Sequence, residues 1–342
     1  MTQRDHLMDG LRVVAAHVIV LHHLSSYGPL ANTLAQAWPA LHEVLYAYGR
    51  MATQVFLVMA GYWSAQALLN APRAPLAERL RKRYARLIPP FALALLTVAL
   101  TVQFLRPFID QDWLTAPASL WQWLAHVLLI QDFVGQPSMT VGAWYVAIDF
   151  QLYALLAVLS WALLRLGVGL QGVVAGVALL RLASQWYFNR DAAWDRWAWY
   201  FLESYGVGAL LAWSQSSASV VSSARAWLGV CLFSALAAGW MYPRPRLWLT
   251  VLVCGVLIWG ASRWHPSARS ARWWQRQSDT SYALFLTHFA PLVLANALWI
   301  QGGYDSPRWG VAWLMMTWVV CVVWSVIFHR SVETLMRKAW RQ

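Results

Sequence analysis

The run RWGVAWLMMTWVVCVVWSVIFH, residues 308–329, holds no charged side chain between Arg308 and His329. A helix needs about 20 mostly apolar residues to cross the hydrocarbon core of a bilayer. Once there, it must satisfy its own backbone polar groups, which a helix does within one segment. Working outward toward the N-terminus, similar runs lie near 279–300, 247–264, 226–242, 197–214, 168–188, 141–164, 88–105, 42–70 and 7–27. The expected fold is therefore all-α: a polytopic membrane helical bundle of about ten transmembrane helices. Segment 106–140 carries Pro107, Pro117 and Pro137, and its apolar part is too short for an easy span. It reads as an interfacial or re-entrant element.

Composition agrees. The 342 residues are 60% hydrophobic and 12% charged, against about 25% charged in soluble domains. No long polar stretch could fold separately in water, so residues 1–342 read as a single transmembrane domain without a soluble accessory domain. Run 11–24 contains Arg12, His17, His22 and His23 and is followed by no clear small-residue cleavage site, so it reads as a retained first helix rather than a secretory signal. Cys231, Cys254 and Cys321 all lie in apolar runs without the C-x-x-C spacing of a metal or redox site. They read as small buried hydrophobes. Many of the 25 tryptophans sit at the ends of runs, where indoles favour the membrane interface.

The net charge of +12 invites a nucleic-acid reading. The basic residues instead cluster in short loops between apolar runs, as in cytoplasmic membrane loops. With the N-terminus inside, the inner loops and ends collect 17 of the 26 basic residues and the outer loops six. Among the inner ones are Arg4, Arg73, Arg337, Lys338 and Arg341. Both termini are thus expected on the cytoplasmic side, with membrane lipids as partners and no nucleic acid.

Charged groups inside a span are costly and mark functional cavities. The first helix concentrates them. Arg12 and His23 are eleven residues apart, so they differ by about 20° in azimuth and sit about 16 Å apart along one face. Asp9 lies one turn below Arg12. His22 points about 100° away from His23, so the adjacent histidines cannot serve equally. The plain alternative is that Arg12 and His23 snorkel to opposite interfaces. A metal site from His17, His22 and His23 matches no strong ligand spacing, and no metal is expected. Arg50 and Gln54 form an i, i+4 polar pair, Asp149 and Gln151 interrupt another run, His288 lies in a further one, and Glu333 follows the last. Together they suggest a polar cavity between helices. The basic stretch ERLRKRYAR, residues 78–86, satisfies the positive-inside pattern and is also suited to hold an anionic group such as a nucleotide phosphate.

Five blocks, in order along nearly the whole chain, resemble the acyltransferase-3 family of integral membrane proteins. Met8-Asp9-Gly10-Leu11-Arg12 followed by His23 resembles its LDGLR start with an Arg-x10-His pair. Residues 55–62, VFLVMAGY, are similar to its FFVLSGF run, and 79–90, RLRKRYARLIPP, to its basic stretch ending in R-x-x-P-P. Residues 144–153, WYVAIDFQLY, running from Trp144 through Asp149 to Tyr153, resemble its WSLSVEEQFY segment. Residues 281–288, SYALFLTH, with Tyr282 and His288, resemble its SYxLYLxH run. The chain departs from the pattern at Asp149 for Glu, Ala147 and Ala60 for Ser, and Gln54 for Asp. The two alanines cannot donate hydrogen bonds.

The resemblance implies a multi-pass protein of the bacterial inner membrane. It also implies transfer of an acyl group, commonly acetyl, from acetyl-CoA or another acyl-CoA to a hydroxyl of a sugar, glycan or related surface acceptor. On that reading Arg79, Arg83 and Arg86 hold the coenzyme's phosphates, and His23 acts as general base or carries the acyl group. Arg12 orients the thioester or stabilises developing charge, and Asp149, if it approaches His23, fixes its tautomer. Asp9, Arg50, Gln54, Trp144, Tyr153, Tyr282 and His288 complete the expected binding site. A transporter or flippase of a lipid-linked sugar or small solute is the alternative from a different class, using the same charges as a pathway. An acyl-CoA-binding sensor without turnover is a third.

Overall fold

Away from water each backbone N–H and C=O needs a partner inside the chain, and a helix supplies it locally. The computed structural model describes residues 6–72, 74–217, 219–260, 263–333 and 336, and among these it contains helices and no strand. In chain order the α-helices are α1 (His6–Leu24), α2 (Pro29–Ala37), α3 (Pro39–Tyr48), α4 (Thr53–Asn70) and α5 (Leu76–Leu105). There follow α6 (Leu120–Val127), α7 (Ala143–Arg165), α8 (Gly169–Trp186), α9 (Ala198–Ser214) and α10 (Val221–Met241). The last four are α11 (Pro245–Gly260), α12 (Ala268–Thr287), α13 (Phe289–Gln301) and α14 (Pro307–Phe328).

By length and apolarity α1, α5, α7, α10 and α14 can each cross a bilayer, and α12 with α13 adds a sixth if the bent pair counts as one span. Leu100 and Phe104 on α5, Phe233 and Trp240 on α10, and Val319 and Val323 on α14 are exposed, while Gln54, Asp149, Arg181, Glu203, His288 and Asn296 are buried. Apolar groups outside and polar groups inside is the distribution of a protein solvated by lipid.

The structure refines four expected segments. Run 42–70 is not one helix: α3 ends at Tyr48, a 3-10 turn covers Gly49–Ala52, and α4 starts at Thr53. A Cβ on Gly49 would lie 2.7 Å from the Cβ of His22, so glycine permits this turn to touch α1. The run at 88–105 belongs to a helix that begins at Leu76, because the basic stretch before it is helical too. Lys82 and Glu78 pair across one turn at 2.5 Å. Run 279–300 bends by 56° at His288. Pro291 explains the break, since it has no N–H for the carbonyl four residues back and its ring crowds that carbonyl. Within 106–140 the α-helix is only Leu120–Val127, too short to span. Arg4, Arg73, Arg337, Lys338, Arg341 and the side chain of Glu333 lie outside the described residues.

The chain divides into two compact units. One holds Thr53–Arg86 and Ala147–His265. Its centre is α9, which packs against α4, α8 and α10. Nearly every residue of α9 is buried. A Cβ on Gly61 of α4 would run into the Tyr205 carbonyl oxygen, and one on Gly208 of α9 into that of Val58. The two glycines let the backbones cross at the distance that small residues allow in membrane helix pairs. This gives the AGY segment, residues 60–62, a packing reason for its glycine.

The other unit holds Asp9–Ala52, Leu87–Val146 and the residues from Pro266 onward. Here α14 packs against α12, α13 and α2. The loop after α1 is tied down by Asn296 of α13, whose Oδ1 accepts from Leu30 N at 3.0 Å while its Nδ2 donates to Leu292 O.

Candidate active site

His23 closes α1 and His288 sits at the α12–α13 break, 265 residues later. Both side chains are buried. His23 Nδ1 and His288 Nε2 are 2.8 Å apart, with ring planes 8° from parallel. The other nitrogen of His288, Nδ1, faces the carbonyl oxygens of Phe285 at 2.9 Å and Leu284 at 3.1 Å. Carbonyls only accept, so His288 Nδ1 carries the proton. In a neutral ring its Nε2 is then a lone pair, and His23 Nδ1 must donate to it. That assignment leaves the lone pair of His23 on Nε2. A buried imidazole with a fixed tautomer and a lone pair turned away from its anchor has the arrangement a general base needs.

The neighbouring histidines go elsewhere, as their azimuths require. His22 Nδ1 donates to Leu45 O at 2.9 Å, and His17 Nδ1 accepts from the indole N–H of Trp318 at 3.2 Å. Among the described residues no group of three or more His, Cys, Asp or Glu is placed to hold a metal. Arg12 is half-buried and Asp9 buried on the same helix as His23. Tyr145 packs edge-on against Phe285, one turn before His288, with Trp144 edge-on to Tyr145. The Tyr282 hydroxyl donates to Leu87 O at 3.3 Å. Arg50 is exposed on the 3-10 turn.

In the first unit the expected site residues form a cluster of their own. Arg83 Nη2 meets Asp149 Oδ2 at 2.5 Å, and the same guanidinium lies 5.2 Å from the ring centre of Tyr153. Asp149 and Tyr153 are one turn apart on α7, so a single arginine engages both. The partner seen for the Asp149 carboxylate is thus Arg83, and the one that sets the His23 tautomer is His288. Arg79 is committed to the backbone, donating from Nε to Ala74 O at 3.0 Å and from Nη2 to Ala71 O. Arg81 and Arg86 are exposed. Gln54 meets the Ser204 hydroxyl at 2.5 Å, which also lies 2.6 Å from Glu203 Oε2.

Glu203 and Arg181, 3.4 Å apart with side chains 1% and 0% exposed, form a pair that the sequence pattern does not announce. The sequence does show an acid in run 197–214 and a base in run 168–188, each too costly to bury alone. They tie α8 to α9. His126 on α6 is buried as well, with no sequence motif around it. Its Nδ1 donates to Gln122 O at 2.8 Å and its Nε2 accepts from Met139 N at 3.2 Å. Burial pulls its imidazole below the ordinary value, against the opposing pull of the Gln122 carbonyl and Asp132.

The model of the acyltransferase-3 family, described as an acyltransferase domain, matches residues 5–328. The chain belongs to that family. The acyltransferase-3 match covers nearly the whole chain, including both the His23–His288 pair and the Arg83–Asp149–Tyr153 cluster. The protein is accordingly a multi-pass membrane acyltransferase, with an acyl donor and an acceptor as its substrates. No curated protein and no solved structure shows significant similarity to it.

Proposed function

We propose that this acyltransferase moves an acetyl group from acetyl-CoA to a hydroxyl of a glycan or glycolipid, with His23 as general base. The observation that carries the reading is the chain of hydrogen bonds from the Phe285 carbonyl through His288 to His23, which leaves the lone pair of His23 on Nε2. Nε2 takes the proton of the acceptor hydroxyl as its oxygen attacks the thioester carbon. The C–S bond then breaks, and the imidazolium returns the proton to the departing thiolate, giving the ester and free coenzyme A. His288 acts through His23 by accepting from Nδ1–H more strongly as that ring becomes cationic.

Arg12, about 16 Å lower on the same helix, is suited to orient the incoming acyl donor rather than to touch the reacting carbonyl. Asp149 works by holding Arg83, and the basic start of α5, with Arg81 and Arg86 exposed, is suited to the coenzyme's phosphates. Ten membrane crossings, some of them made by helices shorter than the five or six that can span alone, with both termini cytoplasmic in one domain of a bacterial inner membrane, complete the proposal. The distribution of basic residues supports that orientation.

The test follows radiolabel from acetyl-CoA in membranes carrying the protein. Label appearing covalently on envelope glycan, dependent on His23, is expected. Movement of glycan across the membrane without any need for an acyl donor would replace the proposal with a transporter.

A further inference from the structure

A cleft of about 430 Å³ opens just past the C-terminal end of α1, within the unit that holds His23 and His288. Its volume falls within the range of small-molecule sites, about 300–1,000 Å³. Ser25 and Ser26, two and three residues beyond His23, form part of its wall. The chain is still wound there, with Tyr27 N donating to His23 O at 3.1 Å. The cleft therefore starts one helical turn from the proposed base.

The lining has a definite chemistry. His42 and Tyr46 stack with ring centres 5.7 Å apart and planes 16° from parallel, and Trp113 adds a third aromatic surface. Asn32 and Gln111 bring side-chain amides. The hydroxyls of Ser25 and Ser26 donate to His22 O at 2.7 and 2.6 Å, and Ser26, the more open of the two, keeps oxygen lone pairs for an incoming donor. Among the described residues, no Asp, Glu, Lys or Arg is in the lining. The indole N–H of Trp113 is buried and, among the described residues, has no hydrogen-bond acceptor, although buried donors nearly always find one.

The wall is also held in place. Gly28 turns the chain with φ +76°, and a Cβ there would collide with the Asn296 side chain that anchors Leu30. A site whose walls are fixed before binding loses less freedom on binding.

We infer that this cleft is the acceptor subsite and that it takes an uncharged sugar ring. Aromatic faces suit the apolar C–H faces of such a ring, and the amides, the Ser26 oxygen and the unsatisfied indole N–H suit its hydroxyls. An anionic ligand calls for cations that the lining does not contain. The inference rests on the acyl-transfer reading for the word acceptor, whereas sugar binding by the cleft stands without it.

The test uses protein in nanodiscs prepared without glycosidic detergent. Saturation-transfer NMR and titration are run with the methyl β-glycosides of glucose, galactose and N-acetylglucosamine, and with methyl β-glucuronide. At least one neutral glycoside is expected to bind and the glucuronide not to. Trp113→Phe keeps the ring but loses the N–H and should weaken binding by about tenfold, the loss of one buried hydrogen bond. Asn32→Ala and Gln111→Ala, at exposed positions, should each weaken it further while acetyl-CoA still shifts the melting temperature. The inference is overturned if no neutral glycoside binds, if the glucuronide binds as well, or if all three variants bind as wild type does. Binding that obeys these expectations in a protein that never releases coenzyme A would sink acyl transfer and leave the cleft. Transfer to a glycoside with unchanged KM in the variants would do the reverse.

Discussion

Replacing His288 by alanine removes the acceptor of the His23 Nδ1–H and leaves His23 itself in place. In wild type that contact spans 2.8 Å between buried side chains. It is neutral to neutral in the resting enzyme and becomes charge-assisted when Nε2 takes a proton. Hydrogen bonds to charged groups contribute about 1.5–3 kcal/mol. At about 1.4 kcal/mol per factor of ten, kcat should fall roughly 10- to 150-fold. The KM for acetyl-CoA should change little, because the interaction strengthens only as the proton moves. His288→Gln, whose amide oxygen can reach the place of Nε2, should recover part of the loss. The assay is steady-state thiol release with purified protein, the fold being checked by thermal shift with acetyl-CoA. Full kcat in a folded His288→Ala protein, or an effect confined to KM, would refute the tautomer argument.

Other predictions test the frame around the site. Gly61→Ala should lower thermal stability by about 1–3 kcal/mol, since its methyl meets backbone rather than a movable side chain; Gly255→Ala, with open space around it, should not, and equal melting temperatures would contradict the close α4–α9 crossing. Asp149→Leu should lower stability by about 2–3 kcal/mol by taking the carboxylate from Arg83, the figure being held down because that side chain is 20% exposed. Adding Arg83→Met should restore most of it, and no recovery in the double variant would show that the pair is not coupled. For His126, whose folded pKa lies below the ordinary 6.5, the unfolded chain takes up the proton first as pH falls. Stability from this group is therefore full above about pH 6.5 and lost as pH drops toward the folded value. Wild type should lose more melting temperature than His126→Gln between about pH 7 and pH 5, and parallel pH profiles would contradict this.

Helices whose ends coincide with changes in hydropathy were legible from sequence. Run 308–329 became Pro307–Phe328, 141–164 became Ala143–Arg165, and 197–214 became Ala198–Ser214. Where helicity and burial in an apolar phase part company, the boundaries were missed. The basic turns of α5 are helical because nothing in 76–88 breaks a helix, although a hydropathy reading sees only a charged loop. The bend at His288 follows from Pro291, a local signal that an apolar run conceals.

The site divides the same way. Helical period alone turned His22 aside from His23, and the two rings do meet different partners, Leu45 O and His288. The partner of His23 was out of reach, because a contact between residues 265 apart depends on tertiary packing. From sequence, Asp149 is a candidate neighbour of His23 and Arg79 and Arg83 are candidates for a ligand; the contacts seen are Asp149 with Arg83, Arg79 with Ala74 O, and His23 with His288. Loops around the cleft, including Trp113, gave no pattern at all, since their residues meet only through the fold.

Coenzyme A release from acetyl-CoA by purified protein with a crude envelope extract, comparing wild type with His23→Ala, tests the central claim most directly. The account predicts extract-dependent thiol release in wild type and its loss in a variant that still folds and binds acetyl-CoA. Release at the wild-type rate from folded His23→Ala would contradict it.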